Sequence, residues 1–235
     1  MSSSSTTVFR NRLLTALAAD DLARLEPHLQ AVSLPRRTKL ELPNRRIETV
    51  YFLESGIASV VSSSDPGAEV EIGIIGDEGV TGGAILHGSD RSPFSTYMQV
   101  GGDGHQIDAA VLQGAAEASA SLRTILLRSS QIFLLQVSQT AICNARATIE
   151  QRLARWLLMA HDRLHSDEIH LTHEFLSMMM GARRPGVTEA INILARKGLL
   201  SGGRGVITIL DRPALENHAG SYYGLPEKEH DRLLS

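Results

Sequence analysis

Apolar residues first recur at helical spacing. Phe9, Leu13, Leu14, Leu17, Leu22, Leu25 and Leu29 predict one or two short helices over residues 8–30, with Asp20-Asp21 placed to cap the second. From Val32 to about Ile107 the period shortens. Short β-branched runs (Thr49–Leu53, Ile57–Ser62, Val70–Ile75, Thr96–Val100) alternate with breakers such as Pro43-Asn44, Ser55-Gly56, Asp65-Pro66-Gly67, Gly76-Asp77 and Gly101-Gly102. Many short strands between turn signals predict an antiparallel sandwich or barrel. Helical spacing then returns. Residues 108–117 are alanine-rich and predict a short helix, and a long helix follows over about Ser119–Asn144.

On the long helix Leu122, Ile125, Leu126, Ile132, Phe133 and Val137 form one broad apolar stripe, interrupted by Ser129 and Gln136. Such a stripe can pack on its own sheet or against a second copy as a parallel coiled coil, and the second is the expectation. Another amphipathic helix is predicted over 148–165 from Ile149, Leu153, Trp156, Leu157, Ala160 and Leu164. A polar turn with one short strand follows at His165–His170.

Residues 171–210 carry the most specific pattern. Thr172 is a good N-cap, Glu174 adds negative charge to the first turn, and Phe175, Leu176, Met179 and Met180 make an apolar face. Gly181 permits a sharp turn. A second helix opens at Arg184-Pro185, where the imino acid removes an N–H that has no helical partner anyway. Val187, Ala190, Ile191 and Leu194 point inward. Arg183, Arg184, Thr188, Glu189 and Asn192 are left outside near its start. In a helix-turn-helix that end addresses the major groove: arginine suits guanine, asparagine adenine, and glutamate can accept from cytosine. Gly198 ends the helix, and Leu199–Leu210 reads as strand, tight turn, strand, with Arg204 at the turn to meet a phosphate.

Composition bounds the rest. A chain of 235 residues, 43% hydrophobic, fits two small domains. Net charge is −3, which argues against a purely electrostatic nucleic-acid binder. Residues 183–204 nevertheless hold five basic side chains (Arg183, Arg184, Arg196, Lys197, Arg204) against one acid, Glu189. A positive face confined to the predicted motif is what DNA binding requires. The single cysteine, Cys143, excludes an iron–sulfur cluster or thiolate zinc site and fits a reducing cytoplasm. No apolar run reaches about 18 residues, so no transmembrane helix is expected. Met1–Thr7 reads as a polar tail rather than a signal peptide. There is no nucleophile elbow, P-loop, dinucleotide fingerprint or HExxH, and the expectation is a protein that is not an enzyme.

Val50-Tyr51-Phe52-Leu53-Glu54-Ser55-Gly56, Ile75-Gly76-Asp77-Glu78-Gly79, Arg91-Ser92, Arg152-Leu153-Ala154-Arg155-Trp156-Leu157 and Leu171–Leu210, in that order and spacing, resemble the Crp/Fnr superfamily (cyclic-AMP receptor protein / fumarate-nitrate regulator) of bacterial transcription regulators. The resemblance runs from about Leu22 to Leu215. It implies an α+β fold: a cyclic-nucleotide-binding-like β-roll, a long dimerisation helix and a C-terminal winged helix-turn-helix. The expected divisions are a tail and leading helix at 1–21, the β-roll sensor at 22–118, the dimer helix at 119–145, the DNA-binding domain at 146–220 and a C-terminal tail at 221–235. The resemblance further implies a cytoplasmic homodimer on a near-palindromic DNA site, with RNA polymerase as a further partner if it activates, an unidentified small-molecule effector and no membrane.

Members that bind a cyclic nucleotide hold it with a Gly-Glu pair and an Arg-Ser pair. Gly82 falls on the family glycine, but Gly83 replaces the glutamate, while Arg91-Ser92 is retained. These four residues are the candidate effector contacts, and losing the carboxylate argues against a cyclic nucleotide. His87 and His105 are available to a haem, yet isolated histidines are more often structural, so no cofactor is expected. In the second helix Arg184 retains a family arginine, whereas Pro185 and Glu189 depart from the pattern, so the DNA sequence read should differ. The competing expectation is a ligand-sensing or protein-interaction module whose helix-turn-helix binds a partner.

Overall fold

The computed structural model describes residues 8–63, 69–203 and 205–234. The expected tail Met1–Thr7, the Asp65-Pro66-Gly67 turn and Arg204 lie outside the described residues.

Two short helices, α1 (Arg12–Thr15) and α2 (Ala19–Leu25), lead into seven strands: β1 (Gln30–Leu34), β2 (Lys39–Glu41), β3 (Thr49–Leu53), β4 (Ile57–Ser63), β5 (Glu69–Ile75), β6 (Ser95–Val100) and β7 (Gly102–Asp108), with α3 (Gly83–Leu86) between β5 and β6. The strands form two antiparallel sheets, ordered β1-β7-β3 and β2-β6-β4-β5. Leu34, Leu53, Ala58, Val60, Ile75 and Met98 pack within this roll. The outer side of β3 and β7 is covered by α1, α2 and α4 (Ala109–Ala118), through Leu13, Leu14, Leu25, Phe52, Ile107 and Leu112.

Asp20 and Asp21 do not cap α2, whose N-cap is Ala18 with no side-chain hydrogen bond. Asp21 reaches instead to the start of α5 (Ala120–Arg146), accepting from the Ser119 and Ser121 hydroxyls at 2.5 Å each. These bonds hold its carboxyl below the usual range.

Helix α5 has 27 residues, about 40 Å at 1.5 Å per residue. Its predicted stripe faces its own protomer. Leu122 and Leu126 are buried against the helical layer and Ile132 is buried as well. Ile125 and Phe133 are half-buried against the same protomer's cores. Val137 is half-buried in a cavity wall. The stripe is thus intradomain core, because the helical layer and the roll both present apolar surface to the same broad face. Gln136 belongs to this buried face, and Gly73 of β5 lets the helix approach: a Cβ there would stand 2.8 Å from the Phe133 ring and 2.9 Å from Gln136 Oε1.

A capping box starts α6 (Ile149–Leu164): Thr148 Oγ1 accepts from Gln151 N–H, and Gln151 Oε1 accepts from Thr148 N–H at 3.1 Å. The C-terminal unit continues with β8 (Glu168–Ile169), α7 (His173–Met179), α8 (Arg184–Arg196), β9 (Leu200–Gly203), β10 (Val206–Ile209) and α9 (Arg212–Ala219). Its core includes Leu153, Leu157, Ile169, Leu176, Val187, Ile191, Leu194, Ile207 and Leu215.

The expected C-terminal tail contains a helix, α10 (Leu225–Leu234), which lies back along α5. Arg128 donates to the Leu233 carbonyl at 3.0 Å, and Arg12 pairs with Asp231 at 3.3 Å. The charged run Glu227–Arg232 hides the pattern in the sequence, since one apolar edge suffices to pack a short helix.

Candidate nucleic-acid interface and sensor cavity

Helix α7 begins at Thr172, whose hydroxyl accepts from Phe175 N–H at 3.2 Å. It ends at Met180, and Gly181 turns the chain with φ +55, a region a side chain enters only with strain. Arg183 is the N-cap of α8, in extended conformation, and Pro185 lies in the first turn. Val187, Ala190, Ile191 and Leu194 are buried against α6 and β9. The opposite face carries Arg183, Arg184, Glu189 and Asn192, all exposed, with Thr188 half-buried beside them. The helix-turn-helix geometry thus brings the five expected base-reading residues to one side.

Glu189 is not available as a simple acceptor. Its Oε1 lies 2.9 Å from Arg196 Nη2, two turns further along α8. Arg183 and Arg184 make no ion pair among the described residues, so the positive charge at the helix start is uncompensated. Strand β10 pairs with β9 in antiparallel register (Val206 with Gly203, Ile209 with Leu200) and with β8 on its other side. This three-stranded sheet is the wing, adjoining α8.

The unit is held on its own β-roll. Trp156 Nε1 donates to Glu71 Oε1 at 2.7 Å, and Ser59 Oγ contacts the other carboxylate oxygen. Burial pushes Glu71 up to about 7, although Ser59, Trp156, Arg155 and Arg163 all favour its charged form. Arg163 forms an ion pair with Glu78 at 2.6 Å, both largely buried. The Arg36 guanidinium lies 5.6 Å from the Phe175 ring centroid of α7.

A cavity of about 970 Å³ runs between the roll, α5, α6 and α10. Gly82, Gly83 and Ser92 line it. Arg91 does not: it lies on the surface, its Nε 2.9 Å from Asp90 Oδ1. The retained Arg-Ser pair is therefore split, serine inward and arginine outward. His87 lines the cavity and bonds Ser130 Oγ at 2.6 Å. His105 sits on β7, 3.1 Å from Glu54 and edge-on to Phe9. The carboxylate that sequence reasoning missed is Glu41 of β2. It accepts from Gly82 N–H at 3.0 Å and from Thr96, and burial pushes its carboxyl up. A charge flanked by Leu40 and Leu42 on a short strand reads as solvent-facing, so only the three-dimensional fold reveals it.

The sequence model described as a Crp-like helix-turn-helix domain matches residues 151–218, the span holding α6 to α9 and the wing. The chain carries a Crp-like helix-turn-helix domain. The fold as a whole is similar to that of solved Crp/Fnr-family structures. FixK2 from Bradyrhizobium japonicum superposes with TM-score 0.71 at 17% identity, over 82% of this chain and 98% of that one. CLP from Xanthomonas campestris, a c-di-GMP-responsive global regulator, superposes with TM-score 0.67 at 19% identity, over 82% and 99%. A CRP-family transcriptional regulator from Thermus thermophilus gives 0.65 at 21% identity, over 81% and 97%. No curated protein sequence matches the chain. Among the described residues no helix is long and apolar enough to cross a membrane.

Proposed function

We propose that the protein is a homodimeric, sequence-specific DNA-binding transcription regulator, with α8 as its recognition helix. The observation that carries this reading is the exposed start of α8, where Arg183, Arg184 and Asn192 stand on a helix whose other face is buried in a Crp-like domain. Arg184 and Asn192 read base edges, and Thr188 and Glu189 flank them. Arg204, between two glycines in the sequence of the wing, contacts phosphate.

The dimer seam is the side of α5 left exposed rather than its buried stripe. Leu127, Gln131, Leu134, Ser138, Ala141 and Ala145 are all exposed and follow one another at alternating four- and three-residue steps. That is coiled-coil spacing, with Leu134 56% exposed at its centre. Two such protomers present their recognition helices to a near-palindrome about 34–36 Å apart.

The sensor cavity does not take a cyclic nucleotide in this reading. Gly83 stands in place of the ribose-binding glutamate, and Arg91 is turned out of the cavity to Asp90. The deciding experiment is selection of bound duplexes from a random pool. Recovery of a two-fold-symmetric site supports the reading, and failure to enrich any sequence at low salt overturns it. Addition of cyclic AMP is expected to leave the selected affinity unchanged.

A further inference from the structure

The cavity's charges point to a ligand class. Three of its lining arginines are already matched by carboxylates: Arg12 by Asp231, Arg163 by Glu78, and Arg212 by Asp162 and Glu216. Among the described residues none of these three arginines is left without a carboxylate partner. Glu227, a half-buried carboxylate near the start of α10, has the charges of Arg163 and Arg155 acting on it. Glu41 differs from all of these. Its partners are a backbone N–H and a hydroxyl, from Gly82 and Thr96, and among the described residues it forms no ion pair. The cavity wall also includes Phe94, Phe133, Val60 and Ile72, with Ser92, Ser130 and His87 as polar groups.

We propose that this cavity binds a small organic cation, an apolar body bearing one protonated nitrogen that sits against the Glu41 carboxylate. An opposite charge would offset the desolvation that now disfavours the ionised carboxyl. A volume of about 970 Å³ is ample for a ligand of this size. The inference rests on the cavity being the sensor of a regulator, but it concerns ligand charge and is tested on the free protein, so it can fail while DNA binding stands.

The test is isothermal titration of the full chain with three molecules of one shape and different charge: octylammonium, 1-octanol and octanoate, with cyclic AMP as a fourth. Octylammonium is expected to bind at least about tenfold more tightly than either octanol or octanoate. Glu41→Gln is expected to remove that preference while octanol affinity stays the same, with thermal melting used to confirm that the variant folds. The wild-type series stands without the variant. The proposal is overturned if octanoate or cyclic AMP binds as well as octylammonium, if octanol matches it, if a folded Glu41→Gln chain keeps the preference, or if octylammonium shows no binding below about 1 mM.

Discussion

Gln136 pairs with the peptide group of Ile74 as a neighbouring strand would: its Oε1 accepts from Ile74 N–H at 2.7 Å and its Nε2 donates to the Ile74 carbonyl at 3.0 Å. β5 is the edge of its sheet, so the side chain of a helix closes an open ladder.

Replacing Gln136 by Leu keeps the volume but leaves the Ile74 N–H and C=O without these partners at a buried site. A buried unmet group costs about 1–3 kcal/mol, so a loss of roughly 2–4 kcal/mol is expected in urea unfolding. An unchanged midpoint would mean that α5 does not support the strand edge.

Glu71 gives a pH dependence whose sign can be worked out. Its folded pKa, about 7, lies above its ordinary 4.5, so the native state holds more protons than the unfolded one between these values. Stability from this group is therefore full below about pH 4.5 and lost as pH rises to about 7. The difference is on the order of 3 kcal/mol at 1.36 kcal/mol per unit. Glu71→Gln should flatten this part of the curve, which calorimetric melting of both proteins between pH 5 and 8 will show. A parallel pair of curves would remove Glu71 as the titrating group.

On the recognition helix, Glu189 and Arg196 are both more than half exposed, so their ion pair contributes little to folding. Glu189→Ala should leave the melting temperature nearly unchanged. The same change removes the one acidic side chain from the basic face and is expected to tighten DNA binding at low salt. Arg184→Ala should instead cost about 1–3 kcal/mol of discrimination between the selected site and a scrambled one. Fluorescence anisotropy on both duplexes separates the two effects.

Leu134→Lys is expected to convert a dimer to a monomer in sedimentation velocity, since it places a charge mid-seam. The same change in Leu122, buried in the protomer, should unfold the chain rather than dissociate it.

Ending the chain after Tyr223 removes α10 and uncovers the side of α5 on which it packs. A lower melting temperature and increased binding of an apolar dye are expected. If neither changes, α10 is not part of the folded unit.

Periodicity located elements well because the signals were local. β3 falls on Thr49–Leu53, the run read from its β-branched and aromatic residues, and α5 starts one residue after its Ser119 cap. The helix-turn-helix was legible for the same reason: Thr172, Gly181 and Pro185 punctuate it within a few residues. What periodicity cannot state is which partner an apolar face meets: the stripe of α5 packs within its own protomer, Leu122 and Leu126 against the helical layer and Phe133 against the roll. Nor can it show residues joined across the chain. Asp21 with Ser119, Glu71 with Trp156, and Glu41 with Gly82 are separated by 98, 85 and 41 positions. Each is a polar side chain in an otherwise ordinary element, and only closure of the roll reveals its use.

Strand β5 serves two neighbours at once. Ile72 and Ile74 form part of the cavity wall, and Glu71 on the same ribbon receives the indole of α6. The socket that seats the DNA-reading unit and the lining that would feel a ligand are consecutive stretches of one backbone. Signal and response in this molecule would need no relay: a displacement of a single strand is already a displacement of both.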